Sequence, residues 1–548
     1  MNDRGLEEAR HVFLRGCGLP GAWSGEPQWR ILDTGFGLGL NFLAAWQAWK
    51  QDPQRPRLLH YVSIEASPVT AEGLLHSAAA YSDLMPLAQA LAAQWSGLLP
   101  GVHRLVFEEG RVLLTLHVRD VRDVLRKEPF TVDSVFLGAR PWDLHTLKAL
   151  GRHCRRGTGI AAPSLADEVR RDLVQCGFSL QQAEGSFSPA WEPKARRLAS
   201  AATPSHCIVV GSGLAGASAA ASLARRGWRV TVLDASDAPA AAASGLPAGL
   251  LAPHHSPDDN QLSRLSRCGV RLTLQQAGAL LREGDWQLSG AMERRDGALL
   301  WHDQAAWIKP AALVRAWLAQ PGIEWRGNTS VARLERHEEG WQVWDGQGRE
   351  VARAQLVVVA AAHASGALLG DCLALSPVRG QVSWSFHDAA LALPAFPLKG
   401  NGHFIPAVPL QGRTAWLTGS TYDRDDTGLE TRAADHAANL ERLEALAPEV
   451  ARQLAPQFQS GAVNAWTGVR CTTVDRRPLL AEVAGGLWVC TAMGSRGLTF
   501  APLCAELLAA RLHGEPLPLE SKLAQALDAR KKLTEEPGGG SAEVVSIG

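Results

Sequence analysis

HCIVVGSGLAGASAAASLARRGWRVTVLDA, His206 to Ala235, decides the architecture of this chain. It reads as a buried strand, a G-x-G-x-x-G turn at Gly211, Gly213 and Gly216, a helix of small residues, and a second strand ending in Asp234. Each part has a mechanical reason. Gly211 permits the tight turn, Gly213 lets the backbone approach a pyrophosphate, and Gly216 lets the helix pack on the strand with its first amides facing the anion. Asp234, eighteen residues past Gly216, is placed to accept ribose hydroxyls. A glycine triplet alone is weak, but strand, loop, helix, strand and acid in that order specify a Rossmann-type nucleotide site.

A second unit of the same kind stands upstream. WRILDTGFGLGLNFLAAWQAW, Trp29 to Trp49, is a strand ending at Asp33, then Gly35, Gly37 and Gly39, then an amphipathic helix. The strand LLHYVSIE ends in Glu65, placed for ribose hydroxyls, and LLTLHVRD ends in Asp120, placed for a base. Each unit opens a series of alternating strand and helix patterns, which predicts two doubly wound α/β domains. The expected division is residues 1–190, a linker over 191–205 (WEPKARRLASAATPS), a second domain over 206–530, and a glycine-rich disordered tail over 531–548.

Length agrees, since 548 residues exceed what one hydrophobic core usually supports. Lys plus Arg and Asp plus Glu both count 55, so any nucleic acid contact must come from local patches. Arginines bunch at Arg152, Arg155 and Arg156, around Arg196 and Arg197, and at Arg264, Arg267 and Arg271; such runs are usually solvated surface. The nine cysteines are scattered and never spaced CxxC, which gives no disulfide framework or zinc signature and fits a reducing compartment. The first residues, MNDRGLEEARHVFL, lack the apolar core of a signal peptide, and no run approaches the ~20 apolar residues of a membrane span. A cytoplasmic protein without membrane, DNA or metal partners is expected, and a monomer.

FAD rather than NAD is indicated by the chain beyond the second glycine loop. The βα pattern breaks into ASGLPAGLLAP at Ala243 to Pro253, and a buried strand with a small-residue turn, AQLVVVAAAHAS, comes only at Ala354 to Ser365. Then GGLWVCTAMGSRGLTFAPLCAELLAARL gives a strand, a turn at Gly494 to Gly497 and a helix starting near Leu498. These pieces resemble the glycine oxidase and D-amino acid oxidase superfamily, in which that helix N-terminus faces the flavin and an interleaved α+β domain holds the substrate. The resemblance implies removal of hydride from the carbon beside an amine nitrogen, where binding and orientation carry most of the burden. It places Arg470, in GVRCTTVDRRPLL, as the grip on a substrate carboxylate, the alternative being a structural salt bridge with a neighbour such as Asp475. Ser495 and Arg496 are weaker candidates. His403 and Phe404, in NGHFIPAV, read either as substrate-facing or as core aromatics.

The first loop, D-x-G-x-G-x-G, resembles motif I of class I methyltransferases. That likeness implies S-adenosylmethionine held by Asp33, Gly35, Gly37, Gly39, Glu65 and Asp120. Together GLEEARHVFLRGCGLP, DTGFGLGLNFLAAW, LHYVSIE, GLPAGLLAP and GSRGLTFAPL are similar to the bifunctional tRNA 5-methylaminomethyl-2-thiouridine biosynthesis family, over roughly residues 5–525. That family implies FAD and S-adenosylmethionine as cofactors and the wobble uridine of tRNA as partner. The oxidase half removes the carboxymethyl group of 5-carboxymethylaminomethyluridine and the other half methylates the exposed amine. One departure stands out. Where the family carries an acidic loop (Asp-Gly-Phe-x-Pro-x-Lys-Asn-Pro) after the strand VDSVFL, this chain reads GARPWDLHTLKAL, with Gly138 in place of the acid and Asp143 as the nearest substitute. An amine needs a carboxylate nearby to be held and deprotonated. Cofactor binding with impaired methyl transfer is therefore expected. A single-activity flavin amine oxidase on a degenerate scaffold, and a small-molecule oxidase of glycine or sarcosine type, are the alternatives.

Overall fold

The computed structural model describes residues 3–193, 202–295, 297–370, 373–388 and 391–528. Two mostly parallel sheets carry the two glycine loops. The first has eight strands in the order Gly101–Phe107, Val112–Val118, Leu58–Ile64, Gln28–Asp33, Val132–Phe136, Cys154–Ala161, Glu184–Phe187, Phe178–Gln181. Its centre is parallel and its edges antiparallel. Leu58–Ile64 and Val112–Val118 are buried at every position, as strands covered on both faces must be. Gln28–Asp33 lies between Leu58–Ile64 and Val132–Phe136, so the chain crosses over on either side of it and Asp33 ends at the switch point, where open α/β sheets bind ligands.

The second sheet runs Ile323–Arg326, Arg229–Leu233, His206–Val210, Leu356–Val359, Leu487–Thr491, Leu479–Ala484. Here Val210 pairs with Leu233 on one side and Val359 on the other. Between its fourth and fifth strands in space the chain makes a long excursion: Ser376–Phe386 pairs antiparallel with Arg413–Gly419 and with Asn464–Thr472 in a separate sheet. This is the interleaved second layer that the sequence predicts. The first sheet's last strand in sequence ends at Phe187 and the second's first begins at His206. Within the expected linker, 194–201 lie outside the described residues, as do Arg196, Arg197, Cys372 and the expected tail 531–548.

Two buried helices back the second sheet. Leu214–Arg225 is mostly Ala, Ser and Gly, and at Gly216 nothing larger fits: a Cβ there would overlap the Gly211 carbonyl. Gly497–His513 carries Pro502, which removes the N–H that would bond the Leu498 carbonyl. Thr273 Oγ1, on the neighbouring helix Gln261–Leu280, lies 2.5 Å from that carbonyl and supplies the missing donor.

The far ends of both helices meet the first sheet in a polar seam. Arg226 donates to Glu515 (2.9 and 2.7 Å) and to Glu506 (3.2 and 2.9 Å), all three fully buried. From the other side Arg30 bonds the Gly514 carbonyl, Arg104 the Pro516 carbonyl and Gln28 the His513 carbonyl. The run Arg264, Arg267 and Arg271, read as solvated surface, goes here too. Arg264 pairs with Glu520, Arg267 with Asp259, and Arg271 is buried against the carbonyls of Gln94, Ser96 and Gly97. The helix Gln261–Leu280 packs on the Gly101–Phe107 edge of the first sheet, which turns a basic patch into an internal joint.

Candidate active site

A cavity of about 790 Å³ opens where Gly211–Gly216 meets the antiparallel layer. Its nucleotide end is a backbone cradle. Gly211 has φ +104°, and a Cβ there would stand 2.6 Å from the Ala360 carbonyl. At Gly213 a Cβ would approach Ser244 Oγ at 3.1 Å, and Ser244 Oγ already accepts the Leu214 amide (3.0 Å) at the start of the helix. The wall therefore comes to the loop as closely as the absence of side chains allows. Asp234 lines the cavity, but its carboxylate is partly engaged: Oδ2 accepts the Ser212 amide (2.6 Å) and hydroxyl (2.7 Å), and Oδ1 the Ser236 amide (2.9 Å). A carboxylate has about four lone-pair sites, so it braces the loop and keeps one site for a ribose.

At the other end Gly494–Arg496 forms a single turn leading into Gly497–His513, with Gly494 at φ +56°. Gly494, Ser495, Arg496 and Gly497 all line the cavity. Arg470 projects from Asn464–Thr472, opposite Val378. Its Nη1 donates to the Thr421 carbonyl (3.2 Å) and the Arg379 carbonyl (3.5 Å), and its Nη2 to Ser420 Oγ (2.5 Å). Its guanidinium lies on Gly380, where a Cβ would overlap it. Three of the five N–H donors are used, leaving Nε–H and one Nη2–H. Among the described residues no salt bridge reaches Arg470 or Arg496; Asp475 instead accepts from Thr473 Oγ1 and the Arg477 amide. Burial lowers the pKa of both arginines from the ordinary value. Two half-buried cations facing a cavity without a paired acid are suited to an anionic ligand.

His403 and Phe404 divide as adjacent strand residues must. Phe404 is in the core against Trp416, whereas His403 lines the cavity with its Nε2 unpartnered. Burial, and then Arg470, hold its imidazole down to about 4, so it is neutral at physiological pH. Sequence reading missed Ser420, Tyr422, Arg442 and Lys399, which also line the cavity. Lys399 Nζ reaches Glu293 (2.9 Å) and the Pro253 carbonyl (3.4 Å). Its only local signal is its place just before NGHF.

The first loop is more closed. Asp33 is 1% exposed; its Oδ2 accepts the Tyr61 hydroxyl (2.8 Å) and its Oδ1 the Gly35 amide (3.2 Å). Burial pushes its carboxyl up to about 7. Glu65 accepts the Gly37 amide (3.2 Å) and the Ser67 amide (3.1 Å). Gly37 has φ +52° with open space beside it, and Gly39 has φ +79° against Phe36, which stacks on Trp95 at 4.7 Å. Asp120 is exposed and caps Val121–Lys127 through the Arg122 amide. The segment after Leu137 folds onto this loop: the Gly138 amide donates to Thr34 Oγ1 (2.8 Å), and Arg140 Nη2 donates to the Thr34 carbonyl (2.5 Å) and would meet a Gly35 Cβ at 3.1 Å. Asp143 caps the helix Leu144–Gly151 through Thr146 and pairs with Arg122, so its carboxylate is already held.

A family model described as FAD dependent oxidoreductase matches residues 206–293 and 274–511, and one described as S-adenosyl-L-methionine-dependent methyltransferase matches residues 82–188. The chain is 51% identical over 616 aligned positions to the tRNA 5-methylaminomethyl-2-thiouridine biosynthesis bifunctional protein of Polaromonas sp. (strain JS666 / ATCC BAA-500), covering 99% of this chain and 95% of that protein. It is 47% identical to the protein so named in Delftia acidovorans, with 96% and 95% covered. An alignment of 616 positions exceeds the 548 residues present here, so the relative has segments that this chain lacks. Glycine oxidase from Geobacillus kaustophilus overlays with a TM-score of 0.50 at 19% identity, over 61% of this chain and 100% of that one, a likeness of fold. Both cofactors fit the residues present. The Gly211–Gly216 cradle and its cavity suit FAD, and Gly37 with Glu65 suits S-adenosylmethionine, with Arg140 lying beside the latter loop. The chain belongs to the family of bifunctional tRNA 5-methylaminomethyl-2-thiouridine biosynthesis proteins.

Proposed function

We propose that this chain modifies the wobble uridine of tRNA in two steps, as a cytoplasmic monomer with no DNA partner. The first step removes the carboxymethyl group of 5-carboxymethylaminomethyl-(2-thio)uridine, and the second methylates the resulting 5-aminomethyl group. FAD, when bound, accepts a hydride from the carbon beside the amine nitrogen. The protein's share is to bind, orient and hold the proton balance. Arg470 takes the carboxymethyl carboxylate through its two remaining donors, with Arg496 and Ser495 at the same end of the cavity. His403, neutral and unpartnered, adds no positive charge to oppose the amine. Loss of that hydride from the neutral amine would leave an iminium ion; water then adds to its carbon, a proton is released and the C–N bond breaks, giving glyoxylate and the primary amine.

The nucleotide end belongs to Gly211, Gly213, Gly216, Asp234, Gly494 and Gly497. In the first domain, taken as residues 1–190, Asp33, Gly35, Gly37, Gly39, Glu65 and Asp120 hold S-adenosylmethionine, Asp33 indirectly by bracing the loop. The observation that carries the reading is Arg470, half-buried on the wall of a nucleotide-sized cavity, with no acid paired to it among the described residues. The test is nucleoside mass spectrometry of tRNA incubated with the enzyme, together with glyoxylate release. Turnover of free glycine or sarcosine with none of tRNA would overturn it in favour of a small-molecule oxidase. A second reading, an oxidase whose first domain is only a scaffold, is favoured by Gly138 standing in place of the family's acid and by Arg140 lying on the glycine loop.

A further inference from the structure

The mouth of the oxidase cavity carries a feature that flavin binding and carboxylate recognition leave unused. Tyr422 lines the cavity yet is 38% exposed, so its ring spans inside and outside. Two guanidinium groups flank it: Arg470 Cζ, in the cavity, lies 5.9 Å from the ring centroid, and Arg476 Cζ, on the exposed loop, lies 6.0 Å from it. Among the described residues neither Arg476 nor Arg496 has a salt-bridge partner, and Arg476 lowers the affinity of Arg496 for a proton, which marks them as close. The loop Thr473 to Pro478 is braced by its own hydrogen bonds. Thr473 Oγ1 bonds both Asp475 and the Arg477 carbonyl, the Arg476 amide bonds the Thr473 carbonyl, and Arg476 sits at φ +57°. That geometry holds Val474, 86% exposed, and Arg476 outward at the rim.

We propose that Tyr422 and Arg476 form the docking lip for the target nucleotide, with the Tyr422 ring stacked on the uracil and Arg476 on the phosphate beside it. This rests on tRNA being the substrate. The order of groups supplies the match: the carboxylate, the aminomethyl arm, the base and the phosphate of the substrate meet Arg470, the cavity mouth, Tyr422 and Arg476 in turn. By ordinary bond lengths the arm from C5 of the base to the carboxylate carbon spans roughly 5 Å, comparable to the separation between the Tyr422 ring and the Arg470 guanidinium. A single-stranded anticodon loop is what such a lip fits, since stacking needs an unpaired base and tolerates its neighbours.

The test uses the full-length holoenzyme and tRNA bearing 5-carboxymethylaminomethyl-2-thiouridine. Flavin bleaching is followed without oxygen, and tRNA affinity by fluorescence anisotropy at several salt concentrations. Tyr422→Ala should raise the tRNA half-saturation about 5- to 150-fold, the range for losing one stacked base, while the limiting bleaching rate moves little. Tyr422→Phe keeps the ring and should recover the affinity. Arg476→Gln should flatten the slope of log affinity against log salt by about 0.7, one phosphate contact on a single strand. An unchanged half-saturation in Tyr422→Ala, an equal loss in Tyr422→Phe, or a wild-type salt slope in Arg476→Gln would each overturn the lip. If the wild-type enzyme itself is bleached by free glycine but not by the tRNA, the tRNA reading falls first and the lip with it.

Discussion

Arg470→Ala is expected to keep its flavin and lose most of its rate with modified tRNA. In the structure the guanidinium has two N–H groups to spare after bonding Ser420 Oγ and the Thr421 and Arg379 carbonyls, enough for one two-point grip on a carboxylate. Truncating one partner of a desolvated, hydrogen-bonded charge pair costs about 2 to 4 kcal/mol. If that energy is realised in the transition state, kcat/KM falls about 30- to 900-fold. The assay is flavin bleaching without oxygen over a range of tRNA concentrations, with the absorbance spectrum as a check that FAD is retained. Gly380→Ala gives an independent route to the same loss, because its new Cβ would push the guanidinium off its seat while leaving every charge in place. Arg470→Lys, a point charge without the planar fork, should fall between. Bleaching of Arg470→Ala within about threefold of wild type, well under the 10-fold that 1.4 kcal/mol would give, would mean that the carboxylate is held elsewhere, with Arg496 the next residue to examine.

Three further outcomes are expected. The purified protein should be yellow, and Gly213→Asp should abolish the colour by setting a carboxylate against the pyrophosphate, at a position where even a Cβ comes within 3.1 Å of Ser244; retained flavin absorbance would refute the cradle. Stability should fall in mild acid. Burial holds His60, His103 and His117 down to about 3, against 6.5 when unfolded, so the unfolded chain takes up protons first and each histidine costs up to about 1.4 kcal/mol per pH unit as pH drops from 6.5 toward 3; a urea midpoint that is flat between pH 7 and about 5 would contradict this. Methyl transfer should be the slower of the two steps, because general-base help is worth about 10²–10⁴-fold and Arg140, not an acid, lies on the glycine loop; rapid, complete methylation of tRNA bearing 5-aminomethyl-2-thiouridine would refute it.

The two nucleotide loops were legible because they are local. A strand, a turn that only glycine can make and a helix follow one another within some thirty residues, and each glycine answers to a backbone approach that the structure displays at Gly211 and Gly216. Arg470 was legible only through resemblance, since nothing near it in sequence tells its fate; its neighbours Ser420 and Gly380 come from strand pairings about 50 and 90 residues away, and register of that kind is set by packing rather than by local pattern. Tyr422, Lys399 and Arg442 were invisible for the same reason. The acids share a local role that the sequence reading did not name. Asp33, Glu65, Asp120, Asp143 and Asp234 all end strands or start helices, where backbone amides stand unpaired, and each carboxylate takes such amides first.

The seam explains why the two halves remain one chain even where one step is slow. Arg226 ends the helix that starts at the flavin loop, and Glu506 and Glu515 belong to or follow the helix that starts at Gly497. A buried pair of carboxylates on one guanidinium is tolerable only when water is excluded and every remaining donor and acceptor is met. The first sheet covers the cluster: Arg30 and Arg104 bond the carbonyls of Gly514 and Pro516, and His60, fully buried, lies 3.8 Å from Glu515, although both ring nitrogens of His60 and Nε of Arg104 find no hydrogen-bond partner there. Without those strands the charge cluster at the end of the helix that reaches the cavity would stand open to water, and the His513, Gly514 and Pro516 carbonyls would lose their donors from Gln28, Arg30 and Arg104. The first domain therefore supports the geometry of the oxidase whatever its own rate, and helices anchored at one end by the seam fix, at the other, the turns that line the cavity.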